Sequence, residues 1–125
     1  MPNRDRKQLE QLGKVVSPSV ISIAELQKQI HQTAVEKGWW ENPRSDGECL
    51  MLMVCELSEA MEGYRDGNPH SDKIAPFSQM EEELADVIIR ILDFAEHRGF
   101  EIEKAIAAKM AYNTTRAYRH GGKVA

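Results

Sequence analysis

The sequence predicts an all-α fold, a bundle of four helices. Three observations carry this. The signature S-x-x-E, in which a serine caps a helix start and a glutamate reciprocates, occurs three times: Ser22 with Glu25, Ser45 with Glu48 and Ser78 with Glu81. Each is followed by apolar residues at helical spacing and then by a glycine or proline stop. No segment alternates apolar and polar residues over a length that would suit a strand.

The elements follow in order. Residues 1–18 are polar and aperiodic and read as a loose arm ahead of a single domain over 19–125. The first helix opens at Ser22, carries Ile23, Leu26, Ile30 and Ala34, and stops near Gly38. After the turn "WWENPRSDG" the second helix runs from Ser45 to about Asp66, where Gly67-Asn68-Pro69 ends it. Its apolar line is Leu50, Val54, Leu57, Met61 and Tyr64, expected to be buried. The third runs from Ser78 to about Arg98, with Gly99 as its stop and Leu84, Val87, Ile88, Ile91, Leu92 and Ala95 as its stripe. The fourth begins near Glu101 and extends to Arg116 or Tyr118, before a tail "RHGGKVA". Short connections between helices favour antiparallel neighbours in a bundle.

A chain of 125 residues suits one domain with a modest core, and so small a surface-to-volume margin favours self-association. A net charge of −4 gives no global basic field, which argues against a nucleic acid polymer as partner. Cys49 and Cys55 lie six apart on one helix and cannot bridge each other, which fits a reducing, cytoplasmic setting. No apolar run approaches the about 20 residues of a membrane helix, and the first residues lack the apolar core of a secretion signal.

The chemistry concentrates in acids that sit beside apolar stripes. The second helix carries Glu56-x-x-Glu59 and the third Glu83-x-x-Asp86. Residues three apart on a helix share a face, with Cβ atoms about 5–6 Å apart. Two such pairs on consecutive helices converge as four carboxylates, which repel and desolvate at heavy cost unless a cation neutralises them. Oxygen ligands alone indicate Mg²⁺, with Mn²⁺ as a substitute. The competing explanation is that acids in a first helical turn, such as Glu81, Glu82 and Glu83, merely favour the helix dipole. A di-iron bundle needs Glu-x-x-His, and the residues three before His31, His70, His97 and His120 are Lys28, Gly67, Phe94 and Ala117.

On the fourth helix Lys109, Asn113 and Arg116 are spaced by four and three, so one face presents two cations and an amide suited to phosphate oxygens. Trp39 and Trp40 follow the first helix, with His31 and Lys37 on it. They read either as packing or as a stacking surface for a nucleobase, with Trp39, Trp40 and His31 as its residues.

Taken together, Glu56-x-x-Glu59, 23 intervening residues and Glu83-x-x-Asp86 resemble the E-x-x-E…E-x-x-D signature of the all-α nucleoside triphosphate pyrophosphohydrolases, most closely the MazG-like branch. The stretches "ELSEAMEGYRDGNP", "EEELADVIIRILDFA", "KMAYNTTRAYRHGGK" and "KGWWE" carry the resemblance, which spans about residues 22–123. It implies Mg²⁺-dependent conversion of a (d)NTP to the (d)NMP and pyrophosphate, as in nucleotide-pool house-cleaning, by a homodimer or homotetramer. By the same resemblance Glu56, Glu59, Glu83 and Asp86 hold metal, and Lys109, Asn113 and Arg116 hold phosphates. The mechanism this implies needs a base for the attacking water, and Glu56 and Glu59 are read as the catalytic pair, with Glu59 as a carboxylate not fully committed to metal and therefore the base. The alternatives are a non-catalytic nucleotide-binding or helical interaction module, and a specialised relative acting on another nucleotide such as phosphoribosyl-ATP.

Overall fold

The computed structural model describes residues 21–118. The arm at 1–18 and the basic residues at 119–123 lie outside the described residues. Among the described residues four helices are bounded: α1 (Ile23–Glu36), α2 (Asp46–Arg65), α3 (Gln79–Arg98) and α4 (Ile102–Thr114). Among the described residues there is no strand, only a single bridge between His70 and Ser78 that closes the α2–α3 loop. No helix among them is long and apolar enough to cross a membrane.

The three serines cap as expected. Ser22, Ser45 and Ser78 Oγ accept from the backbone N–H of Glu25, Glu48 and Glu81 at 3.1, 3.1 and 3.2 Å. Glu81 Oε1 returns the bond to the Ser78 N–H at 3.1 Å, so the full reciprocal box forms at α3. Gly99 ends α3 in the left-handed region at φ 71°, where a residue without Cβ is favoured.

The fourth helix is shorter than its sequence suggests. Thr114 and Thr115 Oγ1 donate back to the carbonyls of Ala111 and Tyr112 at 2.6 and 2.7 Å. Such hydroxyls offer the backbone an alternative to helix, and α4 stops at Thr114. Arg116 therefore lies past the helix end and does not continue the face of Lys109 and Asn113.

Helix α3 is the central element, packed against α2 on one side and α1 on the other, while α4 leans more lightly on α1. Gln27 on α1 is buried and donates to Glu96 Oε1 at 3.0 Å and to the Phe100 carbonyl at 2.9 Å. Ala24 N–H donates to Glu103 Oε1 at 3.2 Å, the link from α1 to α4.

Helix α2 is inverted relative to expectation. The side turned inward carries Cys49, Glu56, Ala60 and Gly63. The apolar line Leu50, Val54, Leu57, Met61 and Tyr64 is outward, each residue half exposed or more. Leu84 and Ile88 of α3 are exposed as well, whereas Leu92 and Ala95 are buried. The physical reason is close approach. A Cβ on Gly63 would sit 3.2 Å from Gln79 Cγ, so only a small-residue face lets α2 lie this near α3.

The polar knot between α1, the α1–α2 turn and α3 replaces much of a conventional core. Asp93 is buried and accepts from Trp40 Nε1, at 2.9 Å on Oδ1 and 3.1 Å on Oδ2. His31 Nδ1 lies 2.7 Å from the same Oδ1. Trp40 stacks on His97 at 3.9 Å between centroids and 10° between planes. Removing the carboxylate strands two donors. Asp93→Ala is expected to lower unfolding stability by about 2–4 kcal/mol, against about 1 kcal/mol for Ser78→Ala. Denaturant titration of both variants checks the order, and equal losses would mean that Asp93 is not the knot's anchor.

Candidate metal centre

Loop 66–78 is built to bring α2 and α3 into register and to close over their inner face. Gly67 and Asn68 take left-handed φ values of 82° and 51°, which turn the chain sharply after α2. Asn68 Oδ1 then accepts from the Met80 N–H at 2.9 Å and ties the turn to the start of α3. Ser71 is buried, and its Oγ accepts from the backbone N–H groups of Lys73 and Ile74 at 3.1 Å each while the hydroxyl bonds Glu82. This holds Lys73 beside the acids.

The four acids singled out from sequence come together through Glu83. Carboxylate oxygens of Glu56, Glu59 and Glu83 lie within 4.8 Å of one another, and those of Glu82, Glu83 and Asp86 form a second such group. Glu56 and Glu83 are buried, Asp86 is half-buried and Glu59 is exposed. Glu82 joins the cluster although its place in the first turn of α3 suggested only a dipole role.

The electrostatics of the set are unequal. Burial pushes the Glu83 carboxyl up to about 7, helped by a hydrogen bond with Glu59 and by the charges of Glu59, Asp86 and Glu82. Burial also raises Asp86, as do Glu56 and Glu82, with Lys73 and Arg90 opposing. For Glu56 burial opposes ionisation too, but the Arg90 hydrogen bond and charge, with Glu59 and Glu83 as further partners, hold its carboxyl below the usual range. Arg90 Nε donates to Glu56 Oε1 at 2.7 Å in a pair that is largely withdrawn from solvent.

The residues fit a hard divalent cation. Glu83 Oε2 is buried and has no hydrogen-bond partner. Such an oxygen is costly to leave unmatched, and a cation is the partner that an oxygen-only donor set matches best. Arg90 engages Glu56, so Glu59, Glu83 and Asp86 are the acids left for a metal to match.

The other expected residues are distributed differently. His31 and Trp40 are committed to Asp93. Trp39 stands apart, half exposed, with Arg90 Cζ 5.6 Å from its ring centroid. Lys109, Asn113 and Arg116 are exposed, and Lys109 Nζ lies 4.7 Å from the Tyr112 ring. Helix α4 rests on α1, so a single chain does not bring this basic group to the carboxylates.

Four participants were not singled out from sequence: Glu82, Lys73, Arg90 and Asp93. Lys73 is placed by loop hydrogen bonds that no periodicity announces. Arg90 and Asp93 did have a signal. Glu83, Asp86, Arg90, Asp93 and His97 are spaced three, four, three and four, which confines them to a sector of about 80° on a helix. No protein-family profile, curated protein or solved structure matches this chain.

Metal-free protein carries a testable signature. Burial and its acidic neighbours raise the Glu83 carboxyl in the folded chain from the ordinary 4.5 to about 7, so folding favours its protonated form. Stability is then full at low pH and is lost as pH rises through the interval between those values. Glu83→Gln is expected to flatten this fall and to raise metal-free stability at pH 8 by ~1–3 kcal/mol. The same variant loses the stabilisation by Mg²⁺ or Mn²⁺ that wild type gains. Thermal unfolding with and without cation checks both, and a flat wild-type profile that neither cation lifts would refute the centre.

Proposed function

We propose that this chain is a divalent-cation-dependent nucleoside triphosphate pyrophosphohydrolase, releasing the monophosphate and pyrophosphate. One observation carries the reading: a buried, unmatched Glu83 oxygen within a cluster of carboxylates contributed by two helices. The resemblance of Glu56-x-x-Glu59 and Glu83-x-x-Asp86 to the pyrophosphohydrolase signature agrees with it.

Glu56, Glu59, Glu83 and Asp86 would hold Mg²⁺, or Mn²⁺ in its place. A cation bound there polarises phosphoryl oxygens and makes a water more acidic. The chain's own groups do the rest. Glu59, exposed and not paired with a cationic side chain, accepts the water's proton as the oxygen attacks the α-phosphorus. The bond from that phosphorus to the bridging oxygen breaks, and pyrophosphate leaves with the bridging oxygen. Glu56 is fixed by Arg90 and orients the cluster. Lys73, held at the mouth of the site by Ser71, meets the triphosphate's charge.

The reading includes self-association as a homodimer or homotetramer. The α2 line of Leu50, Val54, Leu57, Met61 and Tyr64, with Leu84 and Ile88, is a large apolar surface for so small a chain. On α4, Ile106 and Met110 are exposed beside Lys109 and Asn113. Apolar contact between copies then brings α4 of one to the acids of another, where Lys109, Asn113 and Arg116 hold phosphates.

The decisive assay incubates the full chain with Mg²⁺ and each common dNTP and NTP, with products separated by ion exchange. Monophosphate plus pyrophosphate is expected, reduced at least ~10²-fold in Glu59→Ala and absent without metal. Diphosphate plus orthophosphate would overturn the site of attack, and nucleotide binding without any product would favour a binding module. For assembly, sedimentation analysis is expected to give two or four copies for wild type, with dissociation in Leu57→Glu. A wild-type monomer would overturn self-association.

A further inference from the structure

The loop between α2 and α3 encloses a pocket beside the carboxylates. His70, Ser71 and Lys73 from the loop and Glu82 and Glu83 from α3 line an open space of about 280 Å³. Two backbone bonds close the loop: the Ser71 N–H donates to the Phe77 carbonyl and the Gln79 N–H to the Pro69 carbonyl, each at 2.8 Å. The volume falls just under the roughly 300–1,000 Å³ of small-ligand sites. Among the described residues that line it there is no tryptophan, tyrosine or phenylalanine. Such a pocket suits a small polar group better than a nucleoside.

Lys73 is the cation of this pocket. Its side chain is exposed, and its ammonium makes no ion pair among the described residues. Its charge nonetheless reaches Asp86, whose rise through burial it opposes. The position is built. Ser71 is only 4% exposed, and its Oγ accepts from the backbone N–H groups of Lys73 and Ile74 at 3.1 Å each while its hydroxyl donates to Glu82. One buried hydroxyl therefore fixes the lysine-bearing turn against the acid-bearing helix.

Charge balance decides what can enter. Asp72, Glu82 and Glu83 outnumber Lys73 along the wall, so a free anion is repelled. Glu82 and Glu83 also belong with Asp86 to one of the two carboxylate groups. A divalent cation held there reverses the balance, and Lys73 then adds a point charge of the kind that binds phosphate. The lysine repels a bare cation and attracts one that carries phosphate, so cation and anion each favour the other's binding.

We propose that this pocket is a diphosphate subsite, which takes the two terminal phosphates of a nucleoside triphosphate, and the pyrophosphate released from them, only together with a divalent cation. Lys73 is its anion contact and Ser71 the positioning residue of that lysine. The inference rests on the pyrophosphohydrolase reading for the source of the diphosphate. Unlike the contacts of Lys109, Asn113 and Arg116, this one is made within a single chain.

The test is calorimetric. The full chain is titrated with Mg²⁺ alone, with pyrophosphate alone and with the Mg²⁺–pyrophosphate complex. The complex is expected to bind and pyrophosphate alone to give no measurable heat of binding. Lys73→Met should weaken the complex about 10-fold or more while Mg²⁺ alone binds as tightly as in wild type or more so. The loss in Ser71→Ala should not add to the loss in Lys73→Met. Circular dichroism establishes that each variant is folded. Equal losses for Mg²⁺ alone and for the complex in Lys73→Met would show a merely structural lysine and overturn the subsite, as would a wild type that does not bind the complex. Additive losses would overturn the role of Ser71. In parallel, dNTP turnover is measured with Mg²⁺, where Lys73→Met should raise KM. Turnover by a chain whose binding of the complex is unchanged in Lys73→Met overturns the subsite and leaves the hydrolase reading standing. Lys73-dependent binding of the complex without turnover of any nucleotide supports the subsite and overturns the hydrolase reading.

Discussion

Burial of carboxylates between α2 and α3 is the constraint to which the rest of this molecule conforms. Acids are among the costliest groups to withdraw from water, yet Glu56 and Glu83 are both buried at this interface. The cost is met in parts. Glu56 is paired with Arg90, Glu82 with Ser71, and the Glu83 carboxyl is pushed up to about 7 by burial and then by its acidic neighbours. What is left over is one unmatched oxygen of Glu83. An isolated buried ion pair is often replaced by apolar packing without loss, so this concentration of inward acids adds little to stability by itself.

The same constraint explains the inversion of α2. An interface that holds carboxylates has little room for Leu and Met, and the helices approach instead through Ala60 and Gly63. The apolar residues that would ordinarily form the core are left on the opposite face, where Val54, Leu57 and Met61 are about half exposed. Core volume is thereby lost from the centre of a small chain. The knot of Asp93, His31, Trp40 and His97 makes up some of that loss with directional bonds and ring stacking rather than bulk apolar burial.

The secondary structure was largely legible in the sequence, because capping serines, glycine stops and periodicity are local. The helices lie within a few residues of their expected bounds, and the one real departure, the early end of α4, comes from the adjacent Thr114 and Thr115. The acid quartet was legible for a related reason: residues at i and i+3 share a helix face whatever surrounds them. Which face of α2 points inward was not, since an apolar line and an acidic pair beside it compete for the interior, and the close approach of Gly63 to Gln79 is a tertiary contact that no local pattern announces. Nor could adjacency in sequence separate the two tryptophans. Trp40 reaches Asp93, while Trp39, one residue earlier, points to Arg90.

Arg90 is where the acid cluster and the Trp39 ring meet, and its chemistry is specific to arginine. One edge of the planar guanidinium donates to Glu56, while the group as a whole lies within reach of the Trp39 ring. A lysine ammonium is a compact point charge and cannot offer a donor edge and a stacking plane at once. The residue therefore serves two contacts together: the Glu56 carboxylate at one end and the Trp39 ring at the other. A file of ionisable groups on one face of α3 runs from Glu83 to His97 and joins the acid cluster to the Asp93 knot, and Arg90 is its midpoint in sequence.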